Sequence, residues 1–399
     1  MWRCIIIVDY EAYLFKTRRD ANNEVKIVFL FNAQNHQLLH GLPTAVRLAA
    51  KSEARVVIAS PGAWQLEYAR FAASRLGDAR LEYYNIRSSL LSIAQTISGG
   101  RNPPKLLAMV TAAGWLNESD AIAVPERTSI FLKRLGVTRP RFIHLDHGAG
   151  DRAAGFDRRI ADFDFVLMAG EKHRARMQRE GLIRDGHHAV IGYPKFEAAD
   201  AIRDPSFRPF ANDRPVVLYN PHFSNLGSWE RFGADVLSAF ADQDRYNLVV
   251  APHVRLLDGR AARARWAGLL DDYEGRPHIH IDRGSDRSID MTWTTLADVY
   301  LGDVSSQAYE FLRTPKPCVF LNAGGVNWQG DENYGHWRFG PVRETMIDLV
   351  EAIDAARRNH RHFLAAQTAG FAETFSTGPE PASERAARAI MDFMQGQSG

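Results

Sequence analysis

Short apolar, β-branched runs recur along this chain, and stretches with helical spacing separate them. Residues 25–31 read as a strand and 41–51 as the helix after it. Residues 55–59, 106–111, 141–145, 164–168 and 188–191 continue the series of strands. Strands that alternate with helices lie parallel, because each crossover returns the chain to the same end of the sheet, and the helices then cover both faces. The rhythm breaks between residues 198 and 215, where Pro205, Pro209 and Pro215 stand among polar residues. It restarts with strands at 216–219, 247–251, 278–281, 299–301 and 318–321 and a helix near 229–242, then turns helical after Pro341 and ends in 383–395. A chain of 399 residues suits two domains of roughly 150–200 residues each. The expected fold is α/β, with two successive doubly wound halves and a cleft between them. Residues 1–24 read as an N-terminal extension, 25–205 as the first domain, 206–365 as the second and 366–399 as a C-terminal helical segment.

Charge narrows the partners. A formal net charge of +2 provides no broad basic field, so nucleic acid is not an expected ligand. Arg174, Arg176, Arg179 and Arg184 form a local cluster, read either as the solvated face of a helix or as a polyanion or membrane contact. Cys4 and Cys318 lie far apart, which argues against a disulfide framework and for a reducing compartment. The opening run 4–8 is apolar, but Asp9 and Glu11 cut it short of a membrane span. The expectation is a cytoplasmic protein, with peripheral contact at the inner membrane face left open.

In open α/β sheets ligands bind beyond the carboxyl ends of strands. Four such ends carry chemistry. The strand at 141–145 runs into Asp146, His147, Gly148, Ala149 and Gly150, where an imidazole can take a proton near neutral pH and the glycines allow close approach. Structural and metal-binding roles for that histidine are the alternatives, although alternation along a strand puts residues 144 and 146 on one face and 147 on the other. The strand at 216–219 opens into Asn220, Pro221, His222, Phe223 and Ser224, which turn chemistry alone would also explain. The strand at 247–251 leads to His253 and Arg255, a cationic pair suited to a diphosphate, with a plain surface arginine as the alternative. The fourth strand ends in Asp303, Val304, Ser305 and Ser306, followed by a helical pattern. Unpaired N–H groups at a helix start favour an anion, and the serines add hydroxyl donors; the same residue types are also ordinary helix caps.

Taken in order, these segments resemble the CDP-glycerol glycerophosphotransferase family of teichoic-acid and capsule assembly. The likeness rests on Val190-Ile191-Gly192-Tyr193-Pro194-Lys195-Phe196, Val217-Leu218-Tyr219-Asn220-Pro221, Pro252-His253 and the run from Asp298 to Ser306, with His147-Gly148 where the family has His-Gly. It covers roughly residues 140–325, and Lys316 to Leu321 fits the strand that follows in this group. The chain departs from the family at Val304, Val254, Pro221-His222 and the Ala-Gly-Asp-Arg run after Gly148. What the resemblance implies is a GT-B fold, with the acceptor on the N-terminal domain and the donor nucleotide on the C-terminal one. By position, His147 would be the base, and His253, Ser305 and Ser306 would hold the donor diphosphate, with Arg255 beside them. Asp303, Asn220, His222 and Gly148 would bind the donor or shape its loops, Asp303 more as a loop former because a carboxylate repels a diphosphate.

The expected function is transfer of a glycerophosphate or related group from a CDP-linked donor to an acceptor hydroxyl, on a polymer, a lipid-linked molecule or a small molecule, in cell-envelope polysaccharide or glycolipid assembly. A glycosyltransferase or UDP-sugar 2-epimerase-like enzyme using a nucleotide sugar is the first alternative, and an inactive nucleotide-binding protein the second. No cofactor and no metal are expected, the donor being a substrate. Three further segments stand out. His36 and His40 have the spacing of a zinc helix without its glutamate and read as cleft lining or caps. His278 and His280 share a strand face without a third ligand, and residues 327–334 read as a polar, aromatic loop able to cover a sugar or base, or as ordinary surface.

Overall fold

The computed structural model describes residues 24–77, 79–98, 103–257 and 260–396. The 1–24 extension, except for Glu24, and with it Cys4, lies outside the described residues.

Seven strands form the first sheet: β1 (Lys26–Leu30), β2 (Arg55–Ser60), β3 (Leu81–Asn85), β4 (Ala121–Val124), β5 (Arg141–Leu145), β6 (Phe165–Met168) and β7 (His188–Val190). Six form the second: β8 (Val216–Asn220), β9 (Asn247–Val250), β10 (Ile279–Ile281), β11 (Val299–Gly302), β12 (Cys318–Leu321) and β13 (Val342–Arg343). Every pairing is parallel, in the orders β3-β2-β1-β4-β5-β6-β7 and β10-β9-β8-β11-β12-β13. Strand order reverses between β1 and β4 in the first sheet and between β8 and β11 in the second, and such switch points open the crevices where ligands sit.

Residues 106–111, read as a strand, lie instead in the helix Lys105–Leu116. Its buried residues are Ala108, Met109, Ala112 and Leu116, a helical and not an alternating spacing. Pro104 immediately before it suits a helix start, since a missing N–H costs nothing there. The strand of this region is β4, four residues on its far side. β3 also goes unmarked in the sequence, because it is an edge strand whose five residues are only partly buried and lack a clean apolar run.

Apolar clusters cover both faces of each sheet. One of them joins the domains, since Ala149, Ala169 and Tyr193 of the first pack with Trp337, Phe339 and Phe375 of the second. The last helix, Ala382–Met394, returns to the first domain and buries Ala386, Ala387 and Ile390 in the core of Leu38–Lys51. No helix among the described residues is long and apolar enough to cross a membrane.

Candidate active site

Both switch points open onto the same cleft. From the first sheet, the turn after β1 supplies His36 and Gln37, the turn after β4 supplies Glu126 and Arg127, and the turn after β5 supplies Asp146 to Arg152. The Gln37 side-chain nitrogen lies 3.2 Å from Glu126 Oε2 and 3.2 Å from His147 Nε2. An amide that donates to both leaves the lone pair of His147 on Nε2. That leaves the hydrogen of the neutral ring on Nδ1, which is buried and has no hydrogen-bond partner among the described residues. Burial pushes the His147 pKa down, and Glu126 and Asp146 only partly offset this. Burial would raise Glu126, but Lys105, 3.4 Å away, and His147 hold it well below the usual carboxylate range. Asp146 lies 3.3 Å from His173.

The glycines divide their work. A Cβ at Gly148 would meet nothing within 4 Å, whereas one at Gly150 would sit 3.1 Å from Ser306 Cβ. Gly150 is thus the residue whose smallness lets this loop touch the other domain.

From the second sheet come His222 after β8, His253 and Arg255 after β9, and the turn 303–306 after β11. Asp303 is fully buried and faces inward. Its carboxylate accepts from the backbone N–H groups of His222 (3.0 Å), Ser228 (2.6 Å) and Val304 (2.6 Å) and from the Ser228 hydroxyl (2.8 Å). Its carbonyl accepts from His336 Nε2 and Trp337 Nε1, both at 2.9 Å. Asp303 therefore fixes the turns around it. Asn220 is likewise internal, donating to the Ala251 carbonyl at 2.7 Å and joining the ends of β8 and β9. Ser305 is buried, and its hydroxyl accepts from Gln307 N–H at 3.3 Å, as a cap does. Ser306 starts a helix of only five residues, Gln307–Phe311, and rests against Gly150.

What fills the cleft is a row of imidazoles crossing from one domain to the other. Ring centroids are 6.0 Å apart for His40–His147, 6.3 Å for His147–His36, 5.9 Å for His36–His253 and 5.1 Å for His253–His222. Burial lowers the pKa of every one of them, to about 3 for His253 and about 2 for His222, with Arg255 and Arg152 adding to the effect at these two. Arg152 reaches across from the first domain, 2.9 Å from His222 Nε2. An arginine only donates, so Nε2 faces a donor; Nδ1 in turn accepts from the Ser224 backbone N–H at 3.0 Å and lies 3.0 Å from the Ser224 hydroxyl. Arg255 lies over the Phe223 ring at 4.8 Å. Among the described residues none of Arg127, Arg152 and Arg255 has a carboxylate partner within 4.0 Å, while the nearby Glu126 and Asp146 are already engaged.

Two buried knots hold the walls together. Lys195 of the first domain lies 2.8 Å from Glu310 of the second, which also accepts from the Tyr193 hydroxyl at 2.8 Å. Asp151 of the first domain accepts from Lys172 (2.8 Å), from the Tyr309 hydroxyl (2.7 Å) and from His336 (2.9 Å).

The remaining candidates fall elsewhere. Arg174 pairs with Glu171, Arg176 with Glu180 and Arg179 with Glu332, so these members of the arginine cluster are committed to carboxylates. His278 donates to the Phe240 carbonyl at 2.9 Å and His280 packs on Trp293. Among the described residues no group of three or more His, Cys, Asp and Glu side chains is arranged to hold a metal ion. In the 327–334 loop, Glu332 and Asn333 bond Arg179 and Arg176 across the domain boundary. Arg152, Asp151, Arg127, Glu126 and Gln37 escape the sequence reading, because no local pattern marks a lone polar residue after a short strand.

No family model matches the chain, and no curated protein matches it in sequence. Solved structures do. MnaA of S. aureus with UDP is 15% identical over 94% of this chain and 97% of its own, with a TM-score of 0.60. A structure of the wall teichoic acid polymerase TagF soaked with CDPG is 13% identical, covering 94% and 90%, at 0.61. The UDP-GlcNAc 2-epimerase of Neisseria meningitidis bound to UDP-GlcNAc is 13% identical, covering 93% and 100%, at 0.53. At such identities the likeness shows the fold, and that fold is GT-B: two Rossmann-like domains facing across a cleft.

Proposed function

We propose that the protein is a transferase that uses a nucleotide diphosphate-linked donor, and that it moves a glycerophosphate-type group from a CDP-linked donor to an acceptor hydroxyl. The observation that carries this reading is the cleft itself, where neutral imidazoles and three arginines without carboxylate partners line the place between two switch points. On the side of the second sheet no carboxylate among the described residues faces these groups, Asp303 being turned inward, and such a wall suits a diphosphate. In this reading His147 Nε2 takes the proton of the acceptor hydroxyl once the hydroxyl displaces the Gln37 amide. The acceptor oxygen forms a bond to the donor β-phosphorus, the bond from that phosphorus to the bridging oxygen breaks, and CMP leaves with the electron pair. His253, Arg255, Arg152 and Ser306 stabilise the charge on the leaving group, and orientation of the two substrates supplies the rest.

A second reading keeps the cleft and moves the chemistry to a sugar carbon of a UDP-linked donor. Glu126 favours it, as a carboxylate coupled to His147 through Gln37 and therefore a second acid–base group on the acceptor side. Incubation with CDP-glycerol and with UDP-N-acetylglucosamine separates the two. Release of CMP from the first is the expected result; conversion of only the second establishes the sugar-nucleotide reading, and turnover of neither contradicts both.

A further inference from the structure

The knot around Asp151 lies outside the cleft, yet it connects the two halves of the site. Asp151 is 4% exposed and sits between Gly150, which touches Ser306, and Arg152, which reaches His222. Its carbonyl accepts from Arg176 at 2.6 Å. Its carboxylate accepts from Lys172 on its own domain and from Tyr309 OH, His336 N–H and His336 Nδ1 on the other. His336 then passes the connection on, its Nε2 donating to the carbonyl of Asp303, whose carboxylate holds the backbone of His222. Both ring nitrogens of His336 thus face acceptors, and both bonds form together only when each nitrogen carries hydrogen. One side chain of the first domain is therefore tied to the main chain that shapes the donor side of the second.

We propose that Asp151 is a positioning residue, the clamp that holds the acceptor-side loop 148–152 on the donor side of the cleft, so that the Arg152 guanidinium reaches the phosphate site only while the domains are closed. The proposal rests on the reading of the cleft as a diphosphate site. Its physical basis is that the Asp151 carboxylate loses its Tyr309 and His336 partners when the domains part, whereas Lys172 stays with it. Closure then completes the carboxylate's hydrogen bonding and carries a cation into the cleft in the same movement. Arg152 has no carboxylate to hold it elsewhere among the described residues, so its placement follows the loop.

The test compares the wild type with Asp151→Asn, Arg152→Ala, Arg152→Lys and the Asp151→Asn/Arg152→Ala double variant. CDP and UDP serve as calorimetric probes, and small-angle X-ray scattering reads domain closure without ligand. Asp151→Asn is expected to enlarge the radius of gyration and to weaken nucleotide binding roughly tenfold to a hundredfold, the range for losing a charged hydrogen bond. Arg152→Ala is expected to weaken binding as much with the closed shape retained, Arg152→Lys to recover part of it, and the double variant to be no weaker than either single one. Multiplying losses in the double variant, or an Asp151→Asn protein that stays closed and binds like the wild type, overturns the proposal. If the wild type binds neither nucleotide, the diphosphate reading falls and Arg152's role with it, while scattering from Asp151→Asn still decides the clamp. Should Asp151→Asn not fold, Tyr309→Phe removes one donor from the opposite side of the knot. It is expected to show the same coupled opening and weakening, and normal closure with normal binding overturns the clamp.

Discussion

The wall built by the N-terminal sheet sets carboxylates beside its imidazoles, with Glu126 coupled to His147 and Asp146 beside His173. The wall built by the C-terminal sheet turns no carboxylate into the cleft at 303, where the sequence has one: Asp303 points inward and binds four donors. The same residue type at equivalent strand ends thus serves two ends. Beside a histidine it tunes a proton acceptor, and buried under a turn it shapes a loop while leaving the surface free for an anion. In the proposed function, the difference separates a wall for acid–base work from a wall for holding phosphate.

Variants on each wall test this separation. His147→Ala is expected to lower turnover about 10²–10⁴-fold while changing nucleotide affinity by less than about threefold, measured by steady-state kinetics and calorimetry. A comparable loss of affinity would erase the distinction between the walls. The joint between them is expected to answer to charge pairing. Lys195→Met, which strands Glu310 in the interface, should destabilise the protein by about 3–5 kcal/mol in urea unfolding, and Lys195→Met/Glu310→Leu should recover most of that. Equal losses in both variants would show that the pair itself supplies the stability.

On the donor wall, His253→Ala or Arg255→Ala is expected to weaken CDP and UDP binding roughly tenfold while leaving the pH dependence of turnover in place. A changed pH profile with unchanged binding would reverse the assignment.

Stability is also expected to depend on pH, with a sign that follows from burial. His36, His40, His147, His222 and His253 have pKa values below 6.5 in the folded protein, His253 near 3, so the unfolded chain binds more protons between these values. Their contribution is fully present above about pH 6.5 and is lost as pH falls toward the folded values, by up to about 1.4 kcal/mol per pH unit for each ring. Urea unfolding from pH 7.5 to 4.5 checks it. Bound CDP favours the charged rings and should flatten this slope; a steeper slope with nucleotide would contradict the anion site.

Much of this arrangement is legible in the sequence. Apolar runs ending in Asp146-His147, Asn220, Pro252-His253 and Asp303 mark strand ends, because a buried parallel strand must be apolar and its exit is where polar residues can reach a ligand. Periodicity fails where elements are short or the apolar face is broad. The four residues of β4 carry no readable period, and residues 106–111 read as a strand because exposed Leu106 and Val110 stand beside buried Ala108 and Met109. Long-range pairing is the other blind spot. Asp151 and His336 are 185 positions apart, and nothing local ties Lys195 to Glu310. His36 joins the row of imidazoles only because β1 and β9 open toward each other, a property of the closed fold.

The claim on which the rest depends is that the cleft binds a nucleotide through its diphosphate. Calorimetric titration of the wild type with CDP, UDP, CMP and UMP at one pH and one ionic strength tests it most directly. The expected result is saturable 1:1 binding in which each diphosphate binds at least about tenfold tighter than its monophosphate, since the second phosphate gains charged partners. Equal affinity for the two, or no binding of any, would contradict the account.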